Sequence, residues 1–77
     1  MKAYYNNFDG QVAFLKDCLV GMFNRLQVAK AEGNEEFAED IRWGMVETSC
    51  ELRDVFKLKV VKLSSEGVEV IPYVKKT

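Results

Sequence analysis

The feature that most constrains the fold of this 77-residue chain is a mirror relation between two mostly apolar runs on either side of Gly33 and Asn34. Within each run the residues recur at intervals of three and four, the spacing of one face of an α-helix. The position numbers of facing members add up to the same total, as they do in two antiparallel helices folded about the Gly-Asn break. The facing pairs are Leu15 with Leu52, Leu19 with Thr48, Met22 with Met45, Leu26 with Ile41, and Lys30 with Phe37. The relation predicts an antiparallel helical hairpin.

The break between the runs has the residues that end one helix and begin another. Gly33 can adopt the left-handed conformation that closes a helix, and Asn34 can cap the next one. Two glutamates follow Asn34, where negative charge is favourable at a helix N-terminus. We therefore predict a first helix over about residues 8–32 and a second over about residues 34–56.

Beyond the second helix the apolar pattern changes to alternation, which is typical of β-strands. The segment Ser-Ser-Glu-Gly at residues 64–67 predicts a turn between two such strands. The resulting β-hairpin, over about residues 57–74, has one apolar face made by Phe56, Leu58, Val60, Val68, Val70, Pro72 and Val74. Residues 2–5 can add a short N-terminal strand.

These elements predict an α+β fold in one domain over residues 1–77, an antiparallel two-helix hairpin followed by a C-terminal β-hairpin. A domain of this size has a thin stability margin, for which dimerisation is a natural remedy. The chain is 48% apolar, which is well above the apolar content of a disordered segment. It has no apolar run of membrane-spanning length and no signal-peptide pattern. We expect a folded cytoplasmic protein with no membrane partner.

Each predicted helix also carries a second apolar line outside the face that forms the hairpin. These lines consist of Trp43, Val46 and Cys50 on the second helix and of Phe14, Gly21 and Val28 on the first. Two helices cover only one stripe each, so another layer must cover the extra lines. We predict a homodimer interface through Trp43, Val46 and Cys50, helped by Phe14 and Val28, and expect Gly21 to permit close backbone approach. The alternative is a monomer in which the β-hairpin covers Trp43.

The net charge of −1 conceals three segments of different charge, because residues 1–31 carry +2, residues 32–54 carry −6 and residues 55–77 carry +3. The acidic flank of the second helix is a candidate docking face for a basic partner, formed by Glu36, Asp40, Glu47, Glu51 and Asp54. A solvated flank that discourages misassociation is the simpler interpretation. Cation binding is disfavoured, since carboxylate sites in helix bundles usually include histidines.

Lysines follow the predicted strands and form a candidate basic face of Lys57, Lys59 and Lys62, with Lys75, Lys76 and Tyr73 nearby. Lysines bind phosphates and tyrosines stack on bases, so nucleic acid is an alternative partner. No arginine lies on this predicted surface, although planar base recognition favours arginine. Lysines on exposed strands also deter intermolecular pairing, and we favour that interpretation.

The sequence has no histidine, which removes the usual general base near neutral pH and the commonest zinc ligand. We therefore predict no catalytic residues, no metal and no cofactor. Cys18 and Cys50 point in different directions, so we expect reduced, packed thiols. The favoured interpretation is a small non-catalytic protein-protein interaction or regulatory protein, a homodimer that binds an unidentified protein partner. The alternative is a nucleic-acid-binding accessory protein that uses the lysine-rich hairpin.

Overall fold

The computed structural model describes residues 8–74, which form two packed helices and a C-terminal β-hairpin. The elements are α1 (Phe8–Ala31), α2 (Glu35–Phe56), β1 (Leu58–Ser64) and β2 (Gly67–Pro72). The strands pair antiparallel in a two-stranded sheet. The predicted α+β architecture is confirmed, while the strand suggested for residues 2–5 lies outside the described residues.

The turn between the helices is built as the sequence predicts. Gly33 has a φ of 71°, the left-handed conformation that ends α1. The side-chain Oδ1 of Asn34 accepts a hydrogen bond from the backbone N–H of Phe37 at 3.2 Å. The backbone N–H of Asn34 donates to the carbonyl of Ala29 at 2.9 Å. These bonds satisfy backbone groups that helix ends otherwise leave unpaired.

The helices meet along the predicted seam, which contains two buried clusters. The lower cluster consists of Val12, Leu15, Leu19, Leu52 and Phe56. The upper cluster, next to the turn, consists of Leu26, Ala29, Ala38 and Ile41. Met22 and Met45 are partly buried and pack against both clusters, so they make the core continuous.

Near the turn the seam differs from the prediction. Phe37 is 46% exposed and Lys30 is also exposed, so this pair is not part of the seam. Ala29 and Ala38 are instead completely buried. The short connection holds the helices close together, and a methyl group on each side fits there where a phenylalanine ring does not.

The glycine at the contact between the two helices is Gly44, whereas no described residue closely approaches Gly21. A Cβ atom added to Gly44 would lie 3.0 Å from the Sδ atom of Met22, whereas one added to Gly21 would meet nothing within 4 Å. The absence of a side chain at Gly44 therefore makes room for Met22.

The β-hairpin covers the lower cluster with an apolar face. Leu58, Val60, Leu63 and Val68 pack against this cluster. A β-bulge between Val60 and Lys62 interrupts the alternation, so that Leu63 rather than Lys62 turns towards the helices. Strict alternation from Leu58 would direct a lysine into the core, which the bulge avoids. Pro72 and Val74 were expected on the covered face, but both are exposed, because Pro72 is the last residue of β2 and Val74 lies beyond the strand.

A single residue joins α2 to β1. Phe56 is the last residue of α2, not the first of the strand, and its ring packs edge-on against Phe8 with 5.3 Å between centroids. Lys57 follows with φ 59° and ψ 42°, and its N–H donates to the carbonyl of Leu52. This left-handed conformation costs a residue with a side chain about 1 kcal/mol, and it turns the chain sharply into β1.

We predict that Leu26→Ala lowers the free energy of unfolding by about 2–5 kcal/mol, because it removes buried methyl groups from the upper cluster. Val28→Ala serves as the control, because Val28 is two residues away and exposed. It should change the free energy of unfolding by less than about 0.5 kcal/mol. Urea denaturation followed by circular dichroism measures both. A loss below about 0.5 kcal/mol for Leu26→Ala contradicts the seam.

We also predict that Lys57→Gly raises the free energy of unfolding by about 0.5–1 kcal/mol, because glycine adopts the left-handed conformation without steric cost. Lys59→Gly is the matched control, since glycine weakens the interior of a strand and should lower the free energy of unfolding by a similar amount. The same urea titrations report both changes. Destabilisation by Lys57→Gly would show that the junction has another conformation.

Candidate interaction surface

The side of α2 that faces away from the seam carries a stripe of five residues at intervals of four and three. We call this set the outer stripe; it consists of Glu39, Trp43, Val46, Cys50 and Arg53. Such spacing places all five on one side of the helix. Trp43 is 61% exposed and Val46 is 51% exposed, whereas Cys50 is partly buried. The centre of the outer stripe is therefore apolar and is open to solvent at Trp43 and Val46.

A groove of about 480 Å³ separates the outer stripe from the β-hairpin. Val46, Cys50 and Arg53 line it from α2, and Val60, Leu63 and Tyr73 are among the residues that line it from the hairpin side. Trp43 does not line the groove, and it stays 61% exposed with the hairpin in place. Within residues 8–74 the structure thus contradicts the alternative in which the β-hairpin folds over Trp43.

Arg53 lies at the end of the groove and is held by several neighbours. Its Nε atom donates to Oδ1 of Asp54 at 2.8 Å, and its guanidinium carbon lies 6.0 Å from the centroid of the Tyr73 ring. The hydrogen bond and the charge of Asp54 raise the pKa of Arg53, whose guanidinium is protonated at physiological pH even without this effect. The guanidinium is therefore a permanent, positioned cation at the groove.

Arg53 was not expected at this surface, because the sequence pattern places no arginine near the lysine strand. The one-residue junction at Lys57 turns β1 back beside the end of α2. The backbone N–H of Tyr73 donates to the carbonyl of Lys57 at 2.8 Å, which fixes Tyr73 at the same end. The only signal in the sequence was the position of Arg53 three residues after Cys50, which continues the spacing of the outer stripe.

The two ends of the outer stripe carry opposite charges. Glu35, Glu36 and Glu39 lie at the N-terminal end of α2 and are exposed. Arg53 lies at the C-terminal end, with Lys57 and Lys59 exposed just beyond it. Two local ion pairs, Arg42 with Glu39 at 3.5 Å and Arg53 with Asp54, offset part of this difference. The stripe is acidic at one end, apolar in the middle and basic at the other end.

The structure does not bring Phe14 and Val28 to this surface. Both are exposed on α1. Phe14 lines a separate pocket with Leu15, Glu51 and Phe56, to which no residue of the hairpin contributes. Phe14 and Trp43 therefore belong to different sides of the helix pair, and one contact with a second copy does not readily cover both.

The predicted acidic docking face lies along α2 as the spacing implies, with Glu36, Asp40, Glu47, Glu51 and Asp54 all exposed. Asp54 is paired with Arg53, and Glu51 lines the Phe14 pocket. Among residues 8–74 the structure places no group of three or more His, Cys, Asp or Glu residues where they could hold a metal ion.

The predicted basic face is less continuous than expected. Lys57, Lys59 and Lys62 are exposed, but Lys57 caps α2 and its Nζ atom donates to the carbonyl of Asp54 at 3.0 Å. Lys59 lines the groove, and Lys62 lies at the β-bulge. Lys75 and Lys76 fall outside the described residues.

Comparison of the chain with protein-family models, with curated proteins and with solved structures gives no match. Neither of the two described helices is long and apolar enough to cross a membrane. Cys18 and Cys50 are both free thiols and both are partly buried.

Proposed function

We propose that this chain is a small non-catalytic interaction or regulatory protein that acts as a homodimer, with the outer stripe as its contact surface. The observation that carries this proposal is the exposure of Trp43 beside Val46 and an open apolar groove. Contiguous apolar surface of this kind usually marks an interaction site. Tryptophan is also enriched among the residues that dominate the energetics of interfaces.

A second copy of the chain is the partner that requires the fewest further assumptions. The core of a domain this small gives a thin stability margin, and association adds buried apolar area. Contact through the outer stripe would remove Trp43 and Val46 from water without moving the hairpin. It would leave the seam between α1 and α2 unchanged, so a folded monomer can remain when the contact is broken.

We predict that sedimentation equilibrium at high micromolar concentration gives twice the 8.8 kDa mass of the chain. Trp43→Glu should give folded monomers, because a buried unpaired carboxylate is costly at an interface. Phe37→Glu is the matched control, since Phe37 is also an exposed aromatic residue of α2 but lies outside the outer stripe. A monomeric wild-type protein, or equal dissociation by both variants, contradicts the proposal.

Nucleic-acid binding is the second candidate, favoured because Arg53, Lys59 and Tyr73 line one groove and Arg53 lies over the Tyr73 ring. An aromatic ring between cations is a common arrangement for single-stranded nucleic acid. If this candidate is right, binding weakens steeply with salt and is reduced when Lys57, Lys59 and Lys62 are replaced by glutamine. Gel-shift titrations with single-stranded DNA and RNA at low salt test it, and no shift removes this candidate.

A further inference from the structure

We propose that the homodimer is antiparallel, with α2 of one copy against α2 of the other and the twofold axis beside Val46. This geometry rests on the proposed function, since it specifies how two outer stripes meet. The occupant of the groove beside α2 is then the second copy's α2 helix. Three features of the described residues support this arrangement, namely the spacing of the stripe, its charges and the position of Arg53.

The outer stripe is nearly symmetric about its central residue. Trp43 lies three residues before Val46 and Cys50 four residues after it, while Glu39 and Arg53 lie seven residues away on either side. In an isologous antiparallel contact, a residue before the axis meets one at the same distance after it. Val46 therefore meets its own copy, Trp43 meets the partner's Cys50, and Glu39 meets the partner's Arg53. Sulfur and aromatic rings contact each other favourably.

The charges distinguish the antiparallel arrangement from the parallel one. A parallel contact would bring Glu39 against the partner's Glu39 and would gather the basic ends of both copies. The antiparallel contact instead places each acidic end of the stripe against a basic end, and it does so twice because of the twofold axis. The two helix dipoles also oppose each other favourably in this arrangement.

Arg53 is ready to make the contact with little loss of conformational freedom. Its side chain is 44% exposed although Asp54 and Tyr73 hold it, and the side chain of Glu39 is 62% exposed. An ion pair between long side chains gains little when both must first be ordered. Arg53 already lies at the groove in an ion pair with Asp54, and Glu39 lies in one with Arg42, so a contact between them across the dimer extends two existing pairs. Lys59 also lines the groove and adds a second positive charge.

Charge reversal tests this geometry through the dimer dissociation constant, measured by sedimentation at physiological salt. Glu39→Lys and Arg53→Glu should each raise the Kd about 5- to 30-fold, because each change creates two like-charge contacts per dimer. The double variant Glu39→Lys with Arg53→Glu should return the Kd to within about threefold of wild type, because it restores opposite charges at both contacts. Asp40→Lys is the control, since it makes the same change in charge one residue outside the stripe and should leave the Kd nearly unchanged.

Disulfide trapping provides a second test in the Cys18→Ala, Cys50→Ala background. Val46→Cys should form disulfide-linked dimers under mild oxidation, because the twofold axis brings its two copies together. Glu39→Cys should not, because its two copies lie about 20 Å apart in an antiparallel pair at about 1.5 Å of helix per residue. In a parallel pair both variants would form the bond.

The outcomes separate this geometry from the proposed function. A wild-type protein that is monomeric overturns both. Suppose instead that Trp43→Glu dissociates the dimer, but that the single charge reversals leave the Kd unchanged or the double variant fails to restore it. That result overturns only the antiparallel arrangement. Efficient trapping through Glu39→Cys overturns it as well. Restored affinity in the double variant, together with trapping at Val46→Cys alone, supports it.

Discussion

The packing of α1, α2 and the β-hairpin around the lower cluster is the interaction on which the rest of the structure depends. Leu19 and Leu52 are completely buried there, and the hairpin lies over the same cluster. A two-stranded hairpin is marginal in water unless a further layer covers its apolar face. The helices supply that layer, and the left-handed Lys57 supplies the sharp turn that directs β1 onto it.

This packing also decides which surface of α2 stays free. The seam with α1 covers one side of α2, and the hairpin approaches a second side only as far as the groove. The side with Trp43 and Val46 is therefore left without a covering layer among the described residues. The described elements are too few to cover every side of α2, and we interpret the apolar surface that they leave exposed as an interface.

The sequence predicts the large features because they depend on periodicity and turn chemistry. The mirror relation predicts the seam, Gly33 and Asn34 predict the turn, and alternation predicts the hairpin. The sequence does not reveal details that depend on the distance between helices and strands. Ala29 and Ala38 replace Phe37 because the turn holds the helices close. The bulge beside Lys62 and the meeting of Arg53 with Tyr73 likewise follow only from the assembled fold.

The central claim is that a second copy covers the side of α2 with Trp43, and the fluorescence of this residue tests it most directly because it is the chain's single tryptophan. Acrylamide quenching measures how accessible its ring is to solvent. We expect strong quenching at nanomolar concentration and quenching several times weaker at high micromolar concentration, with circular dichroism unchanged. Strong quenching across the whole range, in a protein that stays folded, would contradict it.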